Sequence, residues 1–143
     1  MSLALIVLAR QPSPGRCKRR LAASIGDESA ARVQQRLLAH TVAVARQWQQ
    51  SEADAVVSLC LGHQQGSGGL GLRMQRQLGR AVRAGAKAVV LVGSDLPGLG
   101  VQHIQQAFSA LHHAPVVLGP ACDGGYWLVG LTAAGQQQQR GRL

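Results

Sequence analysis

Five short apolar runs, separated by longer segments of helical periodicity, constrain the fold of this chain more than any other feature of its sequence. The runs lie at Leu3–Leu8, Ala55–Leu61, Ala88–Val92, Val116–Leu118 and Tyr126–Leu131. A short apolar run of this kind is typical of a strand that is covered on both faces. We therefore predict a sheet whose strands are largely buried.

The segments between these runs show the spacing of amphipathic helices. Apolar residues recur every three or four positions from Val33 to Trp48, and again from Leu70 to Ala84 and from Val101 to Leu111. The Gly26-Asp27 pair predicts the start of the first of these helices. Strands that alternate with helices predict a mainly parallel sheet with helices on both faces, and in such sheets ligands bind beyond the carboxyl ends of the strands.

Length and net charge further narrow the folds and binding partners that are expected for this chain. The 143 residues suit one α/β domain, which we place at residues 1–131, and the glutamine-rich residues 132–143 are expected to be frayed or disordered. Lys and Arg number 15 against 6 Asp and Glu, which gives a net charge of +9. That sign favours anionic partners such as nucleotides, nucleic acid or a lipid surface.

Several classes are disfavoured by composition. No apolar run approaches the roughly 20 residues of a membrane span, and Met1–Ala9 lacks the basic start of a signal peptide. Cys17, Cys60 and Cys122 are odd in number and contain no CxxC pair, which argues against disulfides and structural zinc and favours a cytoplasmic location. Four aromatic residues are too few for a nucleic-acid stacking platform, so we expect no specific nucleic-acid partner.

A row of arginines on the predicted helix from Leu70 has two interpretations. The row consists of Arg73, Arg76, Arg80 and Arg83. It could form a nucleic-acid or membrane face, or it could be an ordinary solvated helix face, and we favour the solvated face.

The loop after the first predicted strand is strongly basic. Five of the fifteen basic residues lie between Arg10 and Arg20, where two prolines and Gly15 stiffen the backbone. Arginine forks and a lysine point charge match phosphate oxygens, so this loop is a candidate phosphate site, although a solvated basic turn has the same composition. It is not a Walker A or dinucleotide-binding loop, because neither GxxxxGK[ST] nor GxGxxG occurs in it.

The loop after the third predicted strand places an acid at the end of a buried run. Asp95 follows AVVLVGS directly, and a carboxylate at the rim of a buried sheet is costly without a nearby cation. A divalent metal or an arginine could supply that cation, and Mg²⁺ or Mn²⁺ commonly bridges a carboxylate to phosphates. The alternative is that Asp95 or Ser94 caps the helix that follows Pro97.

The loop after the fourth predicted strand combines an acid with two glycines. Asp123, Gly124 and Gly125 permit positive φ and a close approach of a ligand, but Asp-Gly is also a hairpin signal. Of the six acidic residues, only Asp95 and Asp123 lie at predicted carboxyl ends of strands. Metal binding or acid–base chemistry must therefore use these two carboxylates or groups from a partner.

Four segments, taken in order, resemble one known family. They are PSPGRCKRRL at 12–21, QGSGGLGLRM at 65–74, VGSDLPGL at 92–99 and LGPACDGGYWLVGL at 118–131. The chain resembles the bacterial GT-A-type glycosyltransferases known as radical-SAM/selenodomain-associated or arsenosugar-biosynthesis transferases. These belong to the nucleotide-diphospho-sugar transferase superfamily, alongside molybdenum-cofactor guanylyltransferase-like enzymes.

This resemblance implies a Rossmann-like three-layer α/β/α GT-A fold and a set of site residues. The nucleotide diphosphate would face Arg16, Lys18 and Arg20, with Gly15 and Ser94 beside it. Asp95 would take the place of the metal-binding aspartate, for Mg²⁺ or Mn²⁺, and Asp95 and Asp123 would be catalytic. The sugar or acceptor side would be formed by Gly124, Gly125 and Tyr126.

Two departures from the family pattern affect these expectations. The family usually carries acids where this chain has Gly69 and Leu72, and it usually continues for some fifty residues beyond the DGGY motif. We therefore expect a C-terminally shortened member, in which a homodimer could replace the missing part of the acceptor site.

Three functions remain open at this point. The leading one is a metal-dependent glycosyltransferase that uses a nucleotide sugar and a small-molecule acceptor. The alternatives are a nucleotidyltransferase of the same superfamily and a non-catalytic nucleotide-binding remnant. A nucleotidyltransferase normally has a GxxxRxGxxK-like loop after the first strand, whereas this chain has PSPGRCKRR, which favours the glycosyltransferase.

Overall fold

A computed structural model describes residues 2–10, 12–15, 17–122 and 125–138. Its strands are β1 (Leu3–Ala9), β2 (Ala55–Leu61), β3 (Ala88–Gly93), β4 (Val116–Pro120) and β5 (Tyr126–Thr132). Its α-helices are α1 (Arg19–Ile25), α2 (Asp27–Gln50), α3 (Leu70–Arg83), α4 (Val101–Ala110) and α5 (Ala133–Gln138). Each predicted strand and helix is present, with ends that differ from the prediction by two residues or fewer.

The five strands form one sheet in the order β2-β1-β3-β5-β4. β1 pairs in parallel with both β2 and β3, while β5 runs antiparallel to both β3 and β4. Four of the five strands therefore point the same way, and the predicted mainly parallel sheet is confirmed. The reversal at β5 has a simple cause: the short loop between Pro120 and Tyr126 cannot span a parallel crossover, which needs a dozen or more residues.

Helices cover both faces of the sheet, which completes the predicted three-layer architecture. One core packs α2 and α4 against β1 and β3, and its centre is the stacked pair Trp48 and Phe108, with ring centroids 4.9 Å apart. The other core packs α3 against the opposite face, where Leu78 contacts side chains of β1, β3 and β5. The alternating side chains of β1 are divided between these two cores, which explains its unbroken apolar sequence.

The chain path gives α2 and α4 a shared face. The chain moves from β1 to β2 in one direction along the sheet and from β3 to β4 in the other, yet α2 and α4 belong to the same core. These two crossovers must therefore have opposite hands, although crossovers between parallel strands are almost always right-handed. The loop that leaves β3 lies against α2, which follows α1 in the chain.

Two helices were not predicted from the sequence. α1 begins at Arg19, inside the segment that was read as a basic loop, and α5 occupies Ala133–Gln138, which we expected to be frayed. The α5 helix packs on α3 and β5, and the amide of Gly135 lies 3.0 Å from Thr132 Oγ1. The remainder of the predicted tail, 139–143, lies outside the described residues.

Candidate functional site

The carboxyl ends of the parallel strands lie along one edge of the sheet. In the register of β1 and β3, Leu8 lies opposite Gly93, so the two strands end side by side. β4 ends at the same edge and β5 begins there. The basic loop, the loop after β3 and the loop between β4 and β5 are therefore neighbours, as the sequence predicted for a ligand site.

Lys18 and Asp95 meet at this edge. The Lys18 Nζ lies 2.5 Å from the Asp95 Oδ1, although the two residues are 77 positions apart in the sequence. It is the single ion pair found among the residues that the structure describes. The Asp95 side chain is 72% exposed and that of Lys18 is 21% exposed, so solvent and ligands can reach the pair.

The surroundings of Asp95 differ from the prediction in two ways. The carboxylate is exposed rather than set in the rim of the buried sheet, because β3 ends at Gly93 and Ser94 takes the buried position. The helix-capping alternative is wrong, since α4 starts at Val101 and its N-cap residue is Gly100. A cation does lie beside Asp95, as expected, but it is the ammonium of Lys18 and not an arginine.

Lys18, which pairs with Asp95, has an unusual backbone conformation. Lys18 has φ 50° and ψ 46°, the one positive φ of a non-glycine residue within the described chain. Such a conformation costs about 1–3 kcal/mol and is found most often at functional sites. The neighbouring residues hold it: Cys17 is buried, with its thiol 3.6 Å from the Ser13 carbonyl oxygen, and the Ala22 N–H bonds the Lys18 carbonyl.

A buried glutamine that we did not predict ties the two charged loops together. The Gln34 amide, on α2, donates to the Arg10 carbonyl oxygen and to Ser94 Oγ, each at 3.2 Å. Gln34 is 2% exposed and Ser94 is 4% exposed. Ser94, which was predicted to contact the nucleotide, thus uses its hydroxyl to link the loop after β3 to α2. A single glutamine on a helix gives no sequence pattern that would have identified this role.

A second buried glutamine fixes the loop after β2. The Gln65 amide donates to Ala9 O at 2.9 Å and to Cys60 O at 3.2 Å, which joins the ends of β1 and β2. Arg73 donates to the Gln65 side chain at 2.9 Å, and Arg76 donates to the Gln65 backbone carbonyl at 2.6 Å. The solvated-face interpretation is therefore wrong for Arg73 and Arg76, which are half-buried braces of the loop, and holds for the exposed Arg80 and Arg83.

The other predicted nucleotide-binding residues, Gly15, Arg16 and Arg20, differ in how the structure describes them. Gly15 has φ 80°, in the left-handed region that favours glycine, and Arg20 is exposed on α1. Arg16 lies outside the described residues. The structure thus brings Lys18 and Asp95 together and leaves Arg20, two residues after Lys18 in the chain, on the surface.

The described residues at the far end of this edge include two aromatic side chains, Tyr126 and Trp127. The loop between β4 and β5 is closed by a 2.8 Å hydrogen bond from the Ala121 N–H to the Gly125 carbonyl, in accordance with a strand-to-strand turn. Tyr126 is 55% exposed, and the ring of Trp127 lies over Gly119, where an added Cβ would be 2.7 Å from it. Two further predicted residues of this loop, Asp123 and Gly124, lie outside the described residues.

His103 adds a nitrogen base to the aromatic end. Its ring meets Trp127 edge to face, with centroids 5.8 Å apart. The Gly100 N–H donates to His103 Nδ1 at 2.9 Å, so the neutral ring carries its proton on Nε2. No sequence motif marked His103; only its position in the first turn of the helix after the Asp95 loop could have drawn attention to it.

The described residues offer few metal ligands. Nowhere among them do three His, Cys, Asp or Glu side chains form a group that could hold an ion. Among the described residues, Asp95 offers an exposed carboxylate where β3 ends. That donor set fits Mg²⁺ or Mn²⁺ bound through one carboxylate, waters and substrate phosphates, and it does not fit a site made wholly by the protein.

The Cys60 thiol is poorly suited to nucleophilic chemistry. Burial raises the pKa of the Cys60 thiol, and the nearby Arg80 charge opposes that shift. Cys17 is also buried, whereas Cys122 is exposed. A buried thiol with a raised pKa is a poor nucleophile at neutral pH.

The chain belongs to a family of uncharacterized proteins conserved in bacteria (DUF2064), whose model matches residues 17–141. A solved structure from Desulfovibrio desulfuricans G20, described as a "putative nucleotide-diphospho-sugar transferase", resembles it with a TM-score of 0.78 and 27% sequence identity. The similarity covers 99% of this chain and 69% of that one. No curated protein matches the chain.

These comparisons support the superfamily that the motifs indicated. The sheet and its helical layers are those of the nucleotide-diphospho-sugar transferase fold.

Within the described residues, no helix has the length and apolar character needed to cross a membrane.

Proposed function

We propose that this protein binds a nucleotide sugar at the carboxyl edge of its sheet and transfers the sugar to a small-molecule acceptor. The observation that carries the proposal is the Lys18–Asp95 pair, which places a cation and an exposed carboxylate together where β1 and β3 end. The fold of the Desulfovibrio neighbour supports the same class of substrate. The four sequence motifs favour the radical-SAM-associated branch of that superfamily.

The basic side of the site would hold the diphosphate. Lys18 presents a point charge from a fixed backbone, and Arg20 projects from the first turn of α1. Cations placed where a diphosphate departs stabilise the negative charge that develops as the sugar is transferred. The net charge of +9 draws anionic substrates to the surface in general, and Lys18 and Arg20 belong to the segment that follows β1.

Asp95 would hold a divalent cation. Mg²⁺ or Mn²⁺, when bound there, neutralises the charge of the diphosphate leaving group. The exposure of the carboxylate leaves room for phosphate and water oxygens around the ion.

The aromatic side would receive the sugar and the acceptor. Tyr126 and Gly125 are exposed at the start of β5, and Asp123 belongs to the same loop in the sequence. We assign Asp123 the role of the base that removes the acceptor proton. The glycines of the loop allow the substrate to approach the backbone closely.

Calorimetric titration with UDP, GDP, UDP-sugars and GTP, with and without Mn²⁺, tests this function. We expect a nucleoside diphosphate and its sugar to bind more tightly with Mn²⁺, and slow hydrolysis of the matching donor. Asp95→Asn should retain the fold and lose the effect of Mn²⁺ on nucleotide binding. Preference for GTP over every diphosphate would instead identify a nucleotidyltransferase, and absence of nucleotide binding would refute both enzymes.

A further inference from the structure

We propose that Lys18 acts as an internal counter-cation for Asp95 and exchanges partners when substrate binds. In the free protein Lys18 pairs with Asp95; when a divalent cation takes Asp95, Lys18 turns to the diphosphate. This inference rests on the proposed function. It makes Lys18 a competitor of the metal and a ligand of the nucleotide, so that the two bind cooperatively through one side chain.

The position of the ammonium makes Lys18 and a divalent ion competitors for Asp95 Oδ1. The Lys18 Nζ already lies 2.5 Å from Oδ1. A divalent ion on the same carboxylate sits about 2 Å from its oxygen, and an ammonium and a dication this close repel strongly. A divalent ion at Oδ1 therefore displaces Lys18, and the two cations compete for the Asp95 carboxylate.

The exchange requires little reorganisation. Asp95 is largely exposed, and surface ion pairs contribute little to stability, so the pair can open readily. The backbone of Lys18 is fixed between buried Cys17 and helix α1, so the exchange needs only side-chain rotation.

The two loops do not depend on the ion pair for their attachment. Gln34 already joins them through buried hydrogen bonds to the Arg10 carbonyl and to Ser94. A pair that served only to hold the loops would duplicate this link at an exposed position. The left-handed conformation of Lys18 costs free energy, and residues with such conformations cluster at functional sites. This favours a role for the Lys18 ammonium beside Asp95 beyond holding the loops together.

Titration of Mn²⁺ into the nucleotide-free protein tests the exchange, by calorimetry and by the loss of the free Mn²⁺ paramagnetic resonance signal. We expect Lys18→Met to bind Mn²⁺ about 3- to 30-fold more tightly than the parent, since the competing ammonium is gone. Lys18→Asn provides a second variant, because asparagine tolerates the left-handed backbone. Arg19→Met is the matched control: it removes the same charge from the adjacent, exposed position and should change Mn²⁺ affinity by less than twofold.

The sign of the change separates this inference from the alternatives. A lysine that only binds nucleotide leaves Mn²⁺ affinity unchanged when it is removed, and a merely structural lysine weakens it. Equal or weaker Mn²⁺ binding in both folded Lys18 variants, or an equal gain in Arg19→Met, overturns the exchange. Because this titration contains no nucleotide, its result stands apart from the search for a nucleotide substrate, which tests the proposed function.

Discussion

The two ends of the site edge are built on different principles. Around β1 and β3, buried amides of Gln34 and Gln65 tie the loops to their neighbours, and the charged groups project from a fixed frame. Around β4 and β5, a backbone hydrogen bond closes the loop, and the rings of His103 and Trp127 pack edge to face beside it. A rigid charged end suits the constant part of a substrate, the diphosphate, while a glycine-rich aromatic end suits the part that varies.

Of the changes considered, removal of the Gln34 amide should have the largest effect, because it breaks the buried link that holds the charged end together. Gln34→Leu keeps the volume but orphans the buried Ser94 hydroxyl and the Arg10 carbonyl, so we expect a loss of about 2–4 kcal/mol in the free energy of unfolding. Gln35→Leu, at the exposed neighbouring position, is the control and should change stability little. Denaturant unfolding measures both, and equal stability of the two variants would show that the buried link is not what makes this end rigid.

The charged end should govern binding of the diphosphate. Lys18→Ala is expected to weaken binding of the nucleoside diphosphate by about 1–3 kcal/mol in the presence of Mn²⁺, the usual range for a charge-assisted contact. Calorimetry against Arg19→Ala checks the effect. If both variants bind like the parent, the basic loop does not contact the phosphates.

The aromatic end should govern the sugar and leave the diphosphate alone. Tyr126→Ala removes an exposed side chain, so we expect unchanged stability and unchanged diphosphate affinity. Binding of the nucleotide sugar, relative to the diphosphate alone, should fall by about 1 kcal/mol. An equal loss of affinity for the nucleotide sugar and for the diphosphate would place Tyr126 at the nucleotide. The two ends of the site would then not bind different parts of the substrate.

Thiol labelling should show the smallest difference. Cys122, exposed in the β4–β5 loop, should react first with a thiol reagent at neutral pH, and Cys17 and Cys60 only on unfolding. Burial raises the pKa of the Cys60 thiol, so its thiolate fraction grows later with rising pH than that of an ordinary cysteine. Mass spectrometry of the labelled peptides measures the order, and early labelling of Cys17 would contradict a fixed basic loop.

The fold was predictable because each strand carries its own signal. β1 and β3 are apolar throughout since both faces are covered, and α2 shows a clear helical repeat. The direction of β5 could also have been inferred, because the connection from β4 is too short for a parallel crossover. The α5 helix could not, since AAGQQQ has no amphipathic pattern and depends on its packing against α3 and β5.

The site was less predictable than the fold. Motif position identified Lys18 and Asp95, but their pairing depends on which strands are adjacent and on the unusual backbone of Lys18. Gln34 gave no signal, and the family segment 65–74 contains Gln65 and Arg73 without revealing their roles, because a buried amide or guanidinium has the same sequence appearance as an exposed one. Their roles follow from hydrogen bonds to residues far along the chain, which local periodicity does not contain.

The strand order also sets the sequence in which this edge can be assembled during synthesis. β3 can join the sheet once β1 exists, but β4 pairs only with β5, which is made after it. Until residues 126–132 leave the ribosome, β4 has no partner and one edge of β3 stays open. The end of the site at β1 and β3 can therefore form on a nascent chain, whereas the end at β4 and β5 forms only when β5 is inserted.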